Sequence, residues 1–304
     1  MPVPASETSL LSMEEREFRA FRELIHRETG IWLRDGKQAM LASRLSRRLR
    51  HHGISDFASY LAYVETAQDG GREMHELINC ITTNKTSFFR EMHHFDFLAG
   101  TLVPEVFSAA RQGGPRAIRF WSAACSTGEE PYSIAISVLA ALEEVHAPGG
   151  LPHGQPLLPG GWGIDILASD IDTSVLATAA RGVYSESSLE GISPATRNRC
   201  FMRGKGKMLG QVRVKKEIAQ LVKFQRINLM DNTWPIEPGF DGIFFRNALI
   251  YFNRETQELF LRRMLRFLRP GGYLFLGHSE HVPWLHDAVV PLNQTVYRLR
   301  SARR

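Results

Sequence analysis

The sequence predicts a helical N-terminal region followed by an α/β domain built on a mainly parallel sheet. Over residues 13–112, apolar side chains recur at helical spacing, as in Phe18, Phe21 and Leu24, and glycines separate the helical stretches. From Arg116 onward, strand-like apolar runs alternate with helix-like segments. This alternation is typical of a parallel sheet covered by helices.

The elements of the second region follow in order. We predict strands at 117–122, 164–169, 221–227, 241–246 and 272–277, with helices at about 129–145, 173–181 and 255–268. A last strand at 294–299 would close the sheet as an antiparallel edge. The segment 182–220 interrupts the alternation and predicts a small antiparallel β insert, whereas 147–163, rich in Gly and Pro, predicts an exposed loop. We therefore expect a helical domain over 1–88, a linking helix over 89–115, and an α/β domain over 116–304.

Composition places the chain in the soluble globular class. Hydrophobic residues make up 43% of the 304 residues and charged residues 23%, and no apolar run approaches the ~20 residues of a membrane span. The N-terminus lacks the pattern of a signal peptide, and three scattered cysteines indicate neither disulfides nor a zinc site. We expect a cytoplasmic protein.

The net charge of +5 is concentrated in two basic segments, 34–51 and 201–226. Each contains only one acidic residue, Asp35 in the first and Glu217 in the second. Such segments can attract an acidic protein or a nucleic acid, or can be ordinary solvated faces.

The turn between the first predicted strand and its helix indicates a nucleotide pocket without phosphate. It contains one glycine, Gly128, where a dinucleotide fingerprint has three. Glu129 and Glu130 follow at the helix start, where they would repel a phosphate. A cationic nucleoside such as S-adenosylmethionine fits better. We expect Glu129 to favour the helix dipole and Glu130 to hold the ligand's amino group.

Two further strand ends carry polar residues where ligands of such folds bind. Asp170 follows the second strand and is predicted to accept hydrogen bonds from ribose hydroxyls, while Asp172 is the natural N-cap of the next helix. Asn247 and Tyr251 follow the fourth strand. The proline-containing block that nucleic-acid amino methyltransferases carry there is missing, which argues against an exocyclic amine as substrate.

Arg90 and the pair His278 and Glu280 are weaker candidates. Arg90 falls in the first turn of the predicted linking helix, where the dipole disfavours a cation, so it either contacts an anion or makes an ordinary surface salt bridge. His278 and Glu280 follow the fifth strand, and we expect them to be solvated rather than a catalytic pair.

Five motifs together resemble the CheR family of chemotaxis receptor methyltransferases over about residues 15–300. They occupy 82–91, 121–133, 168–172, 246–252 and 277–280, in the family's order. The resemblance implies a Rossmann-like class I methyltransferase domain with an antiparallel β-subdomain and an all-α N-terminal domain. It implies methyl transfer from S-adenosylmethionine to glutamate side chains of chemoreceptors, yielding glutamyl methyl esters and S-adenosylhomocysteine, without a metal.

The resemblance also assigns residues and partners. Arg90 and Tyr251 would face the reacting centre. The cofactor contacts would be Asn84, Thr86, Arg90, Glu130, Asp170, Asn228, Leu229, Asn247 and Ala248. The basic helix at 38–50 would bind the receptor through Arg44, Arg47 and Arg48, and the β-subdomain could dock a receptor C-terminal peptide. The protein would act as a monomer on the receptor's cytoplasmic domain, with no nucleic acid and no membrane insertion.

The residues alone leave two other hypotheses about the function open. The basic charge would suit an RNA or DNA methyltransferase, which the missing proline block opposes. A non-catalytic module that binds S-adenosylmethionine and docks a signalling partner would not need Arg90, Asp170 and Tyr251 together.

Overall fold

The computed structural model describes residues 12–66, 71–146 and 161–300. Its internal contacts divide the chain into two units. The first contains the described residues up to Thr83 together with Tyr251–Asn253, and the second contains Asn84–Ile250 and the described chain from Arg254 onward. None of the helices in these ranges is long and apolar enough to cross a membrane.

The first unit is helical. Its helices are α1 (Glu15–Thr29), α2 (Gln38–His52), α3 (Phe57–Thr66) and α4 (Arg72–Ile81). Phe21, Leu45, Tyr60 and Leu77, one from each helix, are fully buried and form a common core. The periodic apolar positions of the sequence are therefore the positions that pack together.

The second unit begins with a turn and a helix that starts later than expected. The helical run consists of α5 (His93–Phe97), a π-helical turn (Leu98–Leu102) and α6 (Val103–Arg111). Phe89 and Glu91 have φ values of 51° and 60°, which a right-handed helix cannot contain. The predicted linking helix from residue 89 is thus replaced at its start by a turn that includes Arg90.

A seven-stranded sheet forms the centre of the second unit. The strands of the unit are β1 (Ala117–Ala123), β2 (Gly163–Asp170), β3 (Val183–Ser185), β4 (Phe201–Arg203), β5 (Gln211–Val214), β6 (Val222–Arg226), β7 (Phe240–Phe245), β8 (Leu268–Leu276), β9 (Val289–Asn293) and β10 (Val296–Leu299). The sheet order is β6-β2-β1-β7-β8-β10-β9, and the first five of these strands are parallel. β10 pairs antiparallel with β8 and β9. The predicted fold class is confirmed.

The antiparallel edge differs from the prediction by one strand. β10 is the strand predicted at 294–299, but β9 lies outside it and forms the edge. Four of the five β9 residues are exposed, and one of them is Pro291. Solvent exposure and a proline are typical of an edge strand. The run Val-Val-Pro-Leu-Asn also lacks the apolar alternation that predicts a strand.

Helices and the insert complete the unit. The helices are α7 (Glu129–His146), α8 (Thr173–Arg181), α9 (Pro194–Cys200), α10 (Lys216–Ala219) and α11 (Arg254–Leu265). β3, β5 and β4 form the antiparallel insert predicted at 182–220. In the core, the rings of Phe244 and Phe275 stack with centroids 4.1 Å apart, which fixes β7 against β8. Most of the predicted loop at 147–163 lies outside the described residues.

Candidate active site

One edge of the sheet collects most of the predicted site residues. Because β6, β2, β1, β7 and β8 are parallel, their carboxyl ends lie at the same edge. The residues at or after these ends include Asn228, Asp170, Glu130, Asn247 and Glu280. The site is thus assembled from residues far apart in the chain.

The turn after β1 is tightly wound and requires its single glycine. Ala124, Ser126 and Gly128 have φ values of 60°, 51° and 96°. A Cβ on Gly128 would lie 2.7 Å from the Cβ of Ala179 in α8. Glycine is needed both for the backbone conformation and for the close approach of the two elements.

Asp170 is a buried acceptor at the end of β2. Its Oδ2 accepts a hydrogen bond from the Ser126 backbone N–H at 2.9 Å, and its Oδ1 accepts from the Asp172 N–H at 3.0 Å. Burial raises the pKa of Asp170 to about 6. The carboxylate therefore holds the β1 turn, and its remaining lone pairs can accept from hydroxyls.

Asp172 has the predicted capping role and also positions Asn84. Its Oδ1 accepts from the backbone N–H groups of Ser174 and Val175 at the start of α8, which confirms the N-cap. Its Oδ2 accepts from Asn84 Nδ2 at 2.7 Å. The carbonyl of Asn84 in turn accepts from the Ser126 hydroxyl at 3.0 Å. The segment before Arg90 is thereby attached to the turn after β1.

The two acids at the start of α7 have different environments. Glu129 accepts a hydrogen bond from the Thr127 hydroxyl at 2.6 Å, and burial raises its pKa. Glu130 accepts from the Ser122 hydroxyl at 2.7 Å and from Arg246 Nη1 at 3.0 Å. Burial raises the pKa of Glu130, and the Arg246 guanidinium opposes this. Glu130 is thus part of an ion pair that the sequence did not reveal.

Arg246 joins three segments of the site. Its side chain is only 1% exposed, and Nη2 lies 3.1 Å from Glu91 Oε2 and donates to the backbone carbonyl of Arg90. With the bond to Glu130, one guanidinium connects the end of β7, the start of α7 and the turn at Arg90. Burial would raise the pKa of Glu91, but Arg246 and Asn247 outweigh it and lower that pKa.

Arg90 lies in the turn before α5, so the helix-dipole argument for it was wrong. Its Nη1 donates to the carbonyl of Lys85 at 3.1 Å, and its Nε lies 4.0 Å from Glu91 Oε1. The side chain is 38% exposed. Thr86, in the same segment, is half-buried. Arg90 is a partly solvated cation held at its base by local contacts.

Asn247 is held by two carboxylates to which the sequence analysis gave no such role. Glu91 Oε1 accepts from Asn247 Nδ2 at 3.1 Å, and Glu91 Oε2 accepts from the His278 N–H at 3.1 Å. Glu280 accepts from the backbone N–H of Asn247 and of Leu249, both at 2.9 Å. The expectation that Glu280 is solvated was wrong, since it is 4% exposed. The available signal was an acid four residues after β8, whose last five residues are all buried.

The remaining predicted cofactor residues are all at least partly buried. Asn228 Oδ1 accepts from the Met230 N–H at 3.0 Å, and the Leu229 carbonyl accepts from Arg263 Nη1 at 2.9 Å. Ala248 is buried. Tyr251 belongs to the first unit, where its carbonyl accepts from the Trp32 N–H at 2.8 Å.

The three arginines of α2 proposed for receptor binding are not equivalent. Arg44 donates to the carbonyls of Ile81 and Thr82. Arg48 pairs with buried Glu73 at 2.5 Å. Arg47 is exposed. Two of the three therefore have structural contacts within the first unit.

One cluster among the described residues has metal-ligand composition. Side-chain ligand atoms of Glu91, His93 and His94 lie within 4.8 Å of one another. The Arg246 guanidinium beside Glu91 would repel a cation there.

Family models match both units. The model described as "CheR methyltransferase, SAM binding domain" matches residues 84–298, and "CheR methyltransferase, all-alpha domain" matches residues 16–82. The chain belongs to the CheR methyltransferase family. It is therefore an S-adenosylmethionine-dependent methyltransferase, as the resemblance of its five motifs implied.

Curated relatives are similar to this chain over nearly its whole length. A "Chemotaxis protein methyltransferase" of Salmonella typhimurium is 43% identical, with 96% of this chain and 93% of the relative covered. The Escherichia coli protein of that name is 41% identical, with 98% of each covered. A "Chemotaxis protein methyltransferase 2" of Pseudomonas aeruginosa is 40% identical, with 97% of each covered.

The hydrogen-bond acceptors at this site fit S-adenosylmethionine. Asp170 offers a buried acceptor for ribose hydroxyls, and Glu130 offers a carboxylate for an ammonium group. Both acids would oppose a phosphate, which S-adenosylmethionine lacks. The chemistry of the strand-end residues therefore suits this molecule better than a dinucleotide.

Proposed function

We propose that this CheR-family enzyme methylates glutamate side chains in the cytoplasmic domain of chemoreceptors. The observation that carries the proposal is the near full-length similarity to three chemotaxis protein methyltransferases, across both the helical and the α/β unit. The product would be a glutamyl methyl ester. A receptor's cytoplasmic domain as substrate would place the enzyme in the cytoplasm, where we propose that it acts as a monomer.

The cofactor would be held by the residues at the strand ends. Asp170 would accept from the ribose, and Glu130 would hold the amino group of the methionine part. Asn84, Thr86, Arg90, Asn228, Leu229, Asn247 and Ala248 would complete the contacts. The hydrogen bonds that anchor Asn84, Asp170 and Asn247 support this assignment, because they order these side chains before anything binds.

The proposed methyl transfer requires alignment of the carboxylate with the methyl group and does not require a general base. A glutamate has a reference pKa near 4.3, so it is an anion at neutral pH. S-adenosylmethionine supplies an activated methyl group when bound. The protein must bring the carboxylate into line and exclude water. We propose that Tyr251 donates a hydrogen bond that orients the carboxylate and that Arg90 attracts it.

Arg90 must attract the carboxylate without holding it too firmly. The nucleophile loses its charge during the transfer, so a strong ion pair would stabilise the ground state more than the transition state. The partial exposure of Arg90 and its proximity to Glu91 both weaken such a pair. These features support an attracting role.

Receptor binding would involve the exposed side of α2 and the insert. Arg47 is the best placed of the three arginines proposed on α2, since Arg44 and Arg48 have internal partners. In the insert, Met202, Met208 and Leu209 are exposed beside basic residues. An apolar and basic surface of this kind would suit a receptor C-terminal peptide that carries aromatic and acidic side chains.

The test is methylation of receptor fragments. The enzyme is incubated with labelled S-adenosylmethionine and a receptor cytoplasmic fragment, with and without the receptor's C-terminal peptide. Base-labile label on the fragment is the expected result. Label that resists base, or label that appears only on added RNA, would refute the glutamate substrate.

A further inference from the structure

Glu280 connects the two loops that follow β7 and β8. Its Oε2 accepts from the Asn247 N–H at 2.9 Å and from the Gly277 N–H at 2.7 Å, and its Oε1 accepts from the Leu249 N–H at 2.9 Å. Three backbone donors thus converge on one carboxylate that is almost fully buried. A buried carboxylate is costly unless such donors compensate it, so the three hydrogen bonds and the charge depend on one another.

The main partner of Glu280 has an unusual backbone conformation. Asn247 has a φ of 57°, in the left-handed region, which asparagine adopts more readily than most residues with a side chain but which is still uncommon. Its backbone is held by Glu280 and its side chain by Glu91. Asn247 is therefore fixed from two sides by two carboxylates that come from different loops. A conformation that is unfavourable locally persists only when its surroundings determine it in this way.

The junction is packed too closely to rearrange easily. A Cβ on Gly277 would lie 2.5 Å from Asn247 Nδ2, 2.8 Å from Asn247 N and 2.9 Å from Glu280 Oε2. Gly277 has no positive φ, so it is the space, not the backbone angle, that requires glycine there. Any side chain at 277 would separate Asn247 from Glu280.

We propose that Glu280 is a positioning residue, which sets the backbone of the 247–249 turn so that Asn247 and Ala248 can bind S-adenosylmethionine. This inference rests on the proposed cofactor role of that turn. In it, Glu280 does not contact the cofactor and acts only through the backbone of the turn. Both carboxylate oxygens are needed, because each accepts from at least one N–H. A glutamine would turn an NH2 group toward one of these donors and lose at least one bond.

The test compares E280Q with the wild-type full-length enzyme. Binding of S-adenosylhomocysteine is measured by calorimetry, and kcat and both KM values are measured with a receptor fragment. E280Q should weaken S-adenosylhomocysteine binding by about tenfold or more, the effect of losing one hydrogen bond to a charged group. The KM for the receptor fragment should stay within about twofold. E255Q, at an exposed acid in the first turn of α11, is the matched control and should bind like wild type.

The outcomes separate positioning from a general structural role. Unchanged S-adenosylhomocysteine affinity in a folded E280Q would overturn the proposal, and so would a loss in which both KM values rise equally. If E280Q does not fold, E280D decides, because it keeps the negative charge but draws the carboxylate back from the three N–H donors. E255D, at the exposed acid of α11, is its control, and unchanged S-adenosylhomocysteine affinity in a folded E280D would overturn the proposal.

The two proposals fail differently. A wild-type enzyme that binds S-adenosylhomocysteine but methylates no receptor fragment would refute the receptor substrate. The comparison of S-adenosylhomocysteine affinities would still decide the role of Glu280.

Discussion

The contrast between Arg47 and Arg48 on α2 gives the most discriminating prediction. Both were proposed to bind the receptor, but Arg48 pairs at 2.5 Å with Glu73, whose side chain is 2% exposed. Tyr60 and His52 also contact the Glu73 carboxylate, at 2.6 and 2.8 Å. Burial would raise the pKa of Glu73, but the bonds from Arg48, Tyr60 and His52 outweigh it and lower that pKa.

Replacing Arg48 with Met leaves a buried carboxylate without its cation. Such a loss costs about 3–5 kcal/mol. Because Tyr60 and His52 still donate to Glu73, we expect the lower end, about 3 kcal/mol in the free energy of unfolding of the helical unit. The double variant R48M/E73Q should recover part of this loss, since no buried charge remains.

Reversing the charge of Arg47 should change receptor binding and leave the stability of the protein nearly unchanged. Arg47 is exposed, so R47E should leave the unfolding free energy within about 0.5 kcal/mol. If α2 faces an acidic receptor, R47E should raise the receptor KM by about threefold or more, and more strongly at low salt.

The assays are urea unfolding followed by circular dichroism and initial methylation rates at two salt concentrations. The stability loss of R48M should also depend on pH. Glu73 has a lowered pKa, so its contribution is present above its unfolded value of about 4.5 and is lost as the pH falls through the folded value. The difference between wild type and R48M should therefore persist at pH 7 and shrink as the pH falls below about 4.5. An R48M protein that unfolds like wild type at pH 7 would refute the reasoning.

Three further predictions concern Tyr251, Asp170 and Gly128. Tyr251→Phe should lower kcat while the Kd for S-adenosylhomocysteine stays within a few-fold; unchanged kcat would remove Tyr251 from the mechanism. Because burial raises the pKa of Asp170 to about 6, S-adenosylhomocysteine affinity by calorimetry should fall between pH 7.5 and 5.5, and D170N should abolish this dependence. Gly128→Ala places a Cβ 2.7 Å from Ala179, so it should lower the thermal midpoint more than Gly191→Ala, which shares a positive φ but has nothing within 4 Å; equal midpoints would contradict the steric argument.

Local patterns predicted the parts of the structure whose causes are local. The strand at 117–122 and the N-cap at Asp172 depend on neighbours in the chain, and both are present. The edge strand β9 was missed because its exposed residues and proline carry no apolar alternation. Arg90 was predicted to lie in a helix because no local sequence pattern predicts the positive φ that the structure has at Phe89.

The electrostatics of the site could not be predicted in the same way. Glu130 and Arg246 are 116 residues apart in the chain and meet only because β1 and β7 are neighbours in the sheet. Glu91 and Asn247 are 156 residues apart. Contacts of this kind depend on the order of strands in the sheet, which a single sequence does not state.

The charges that meet around Arg246 also bear on the proposed substrate. Glu91 and Glu130 flank Arg246, so the three groups together carry one negative charge when ionised. Arg90, next to Glu91, brings the sum to zero. Asp170 and Glu280, two other acids at this edge, accept hydrogen bonds from backbone N–H groups and not from a cation. In the cluster around Arg246, Arg90 is partly exposed, so it is the cation that would attract an anionic nucleophile in the proposed reaction. Glu91 beside it would keep that attraction weak enough for the nucleophile's charge to be neutralised.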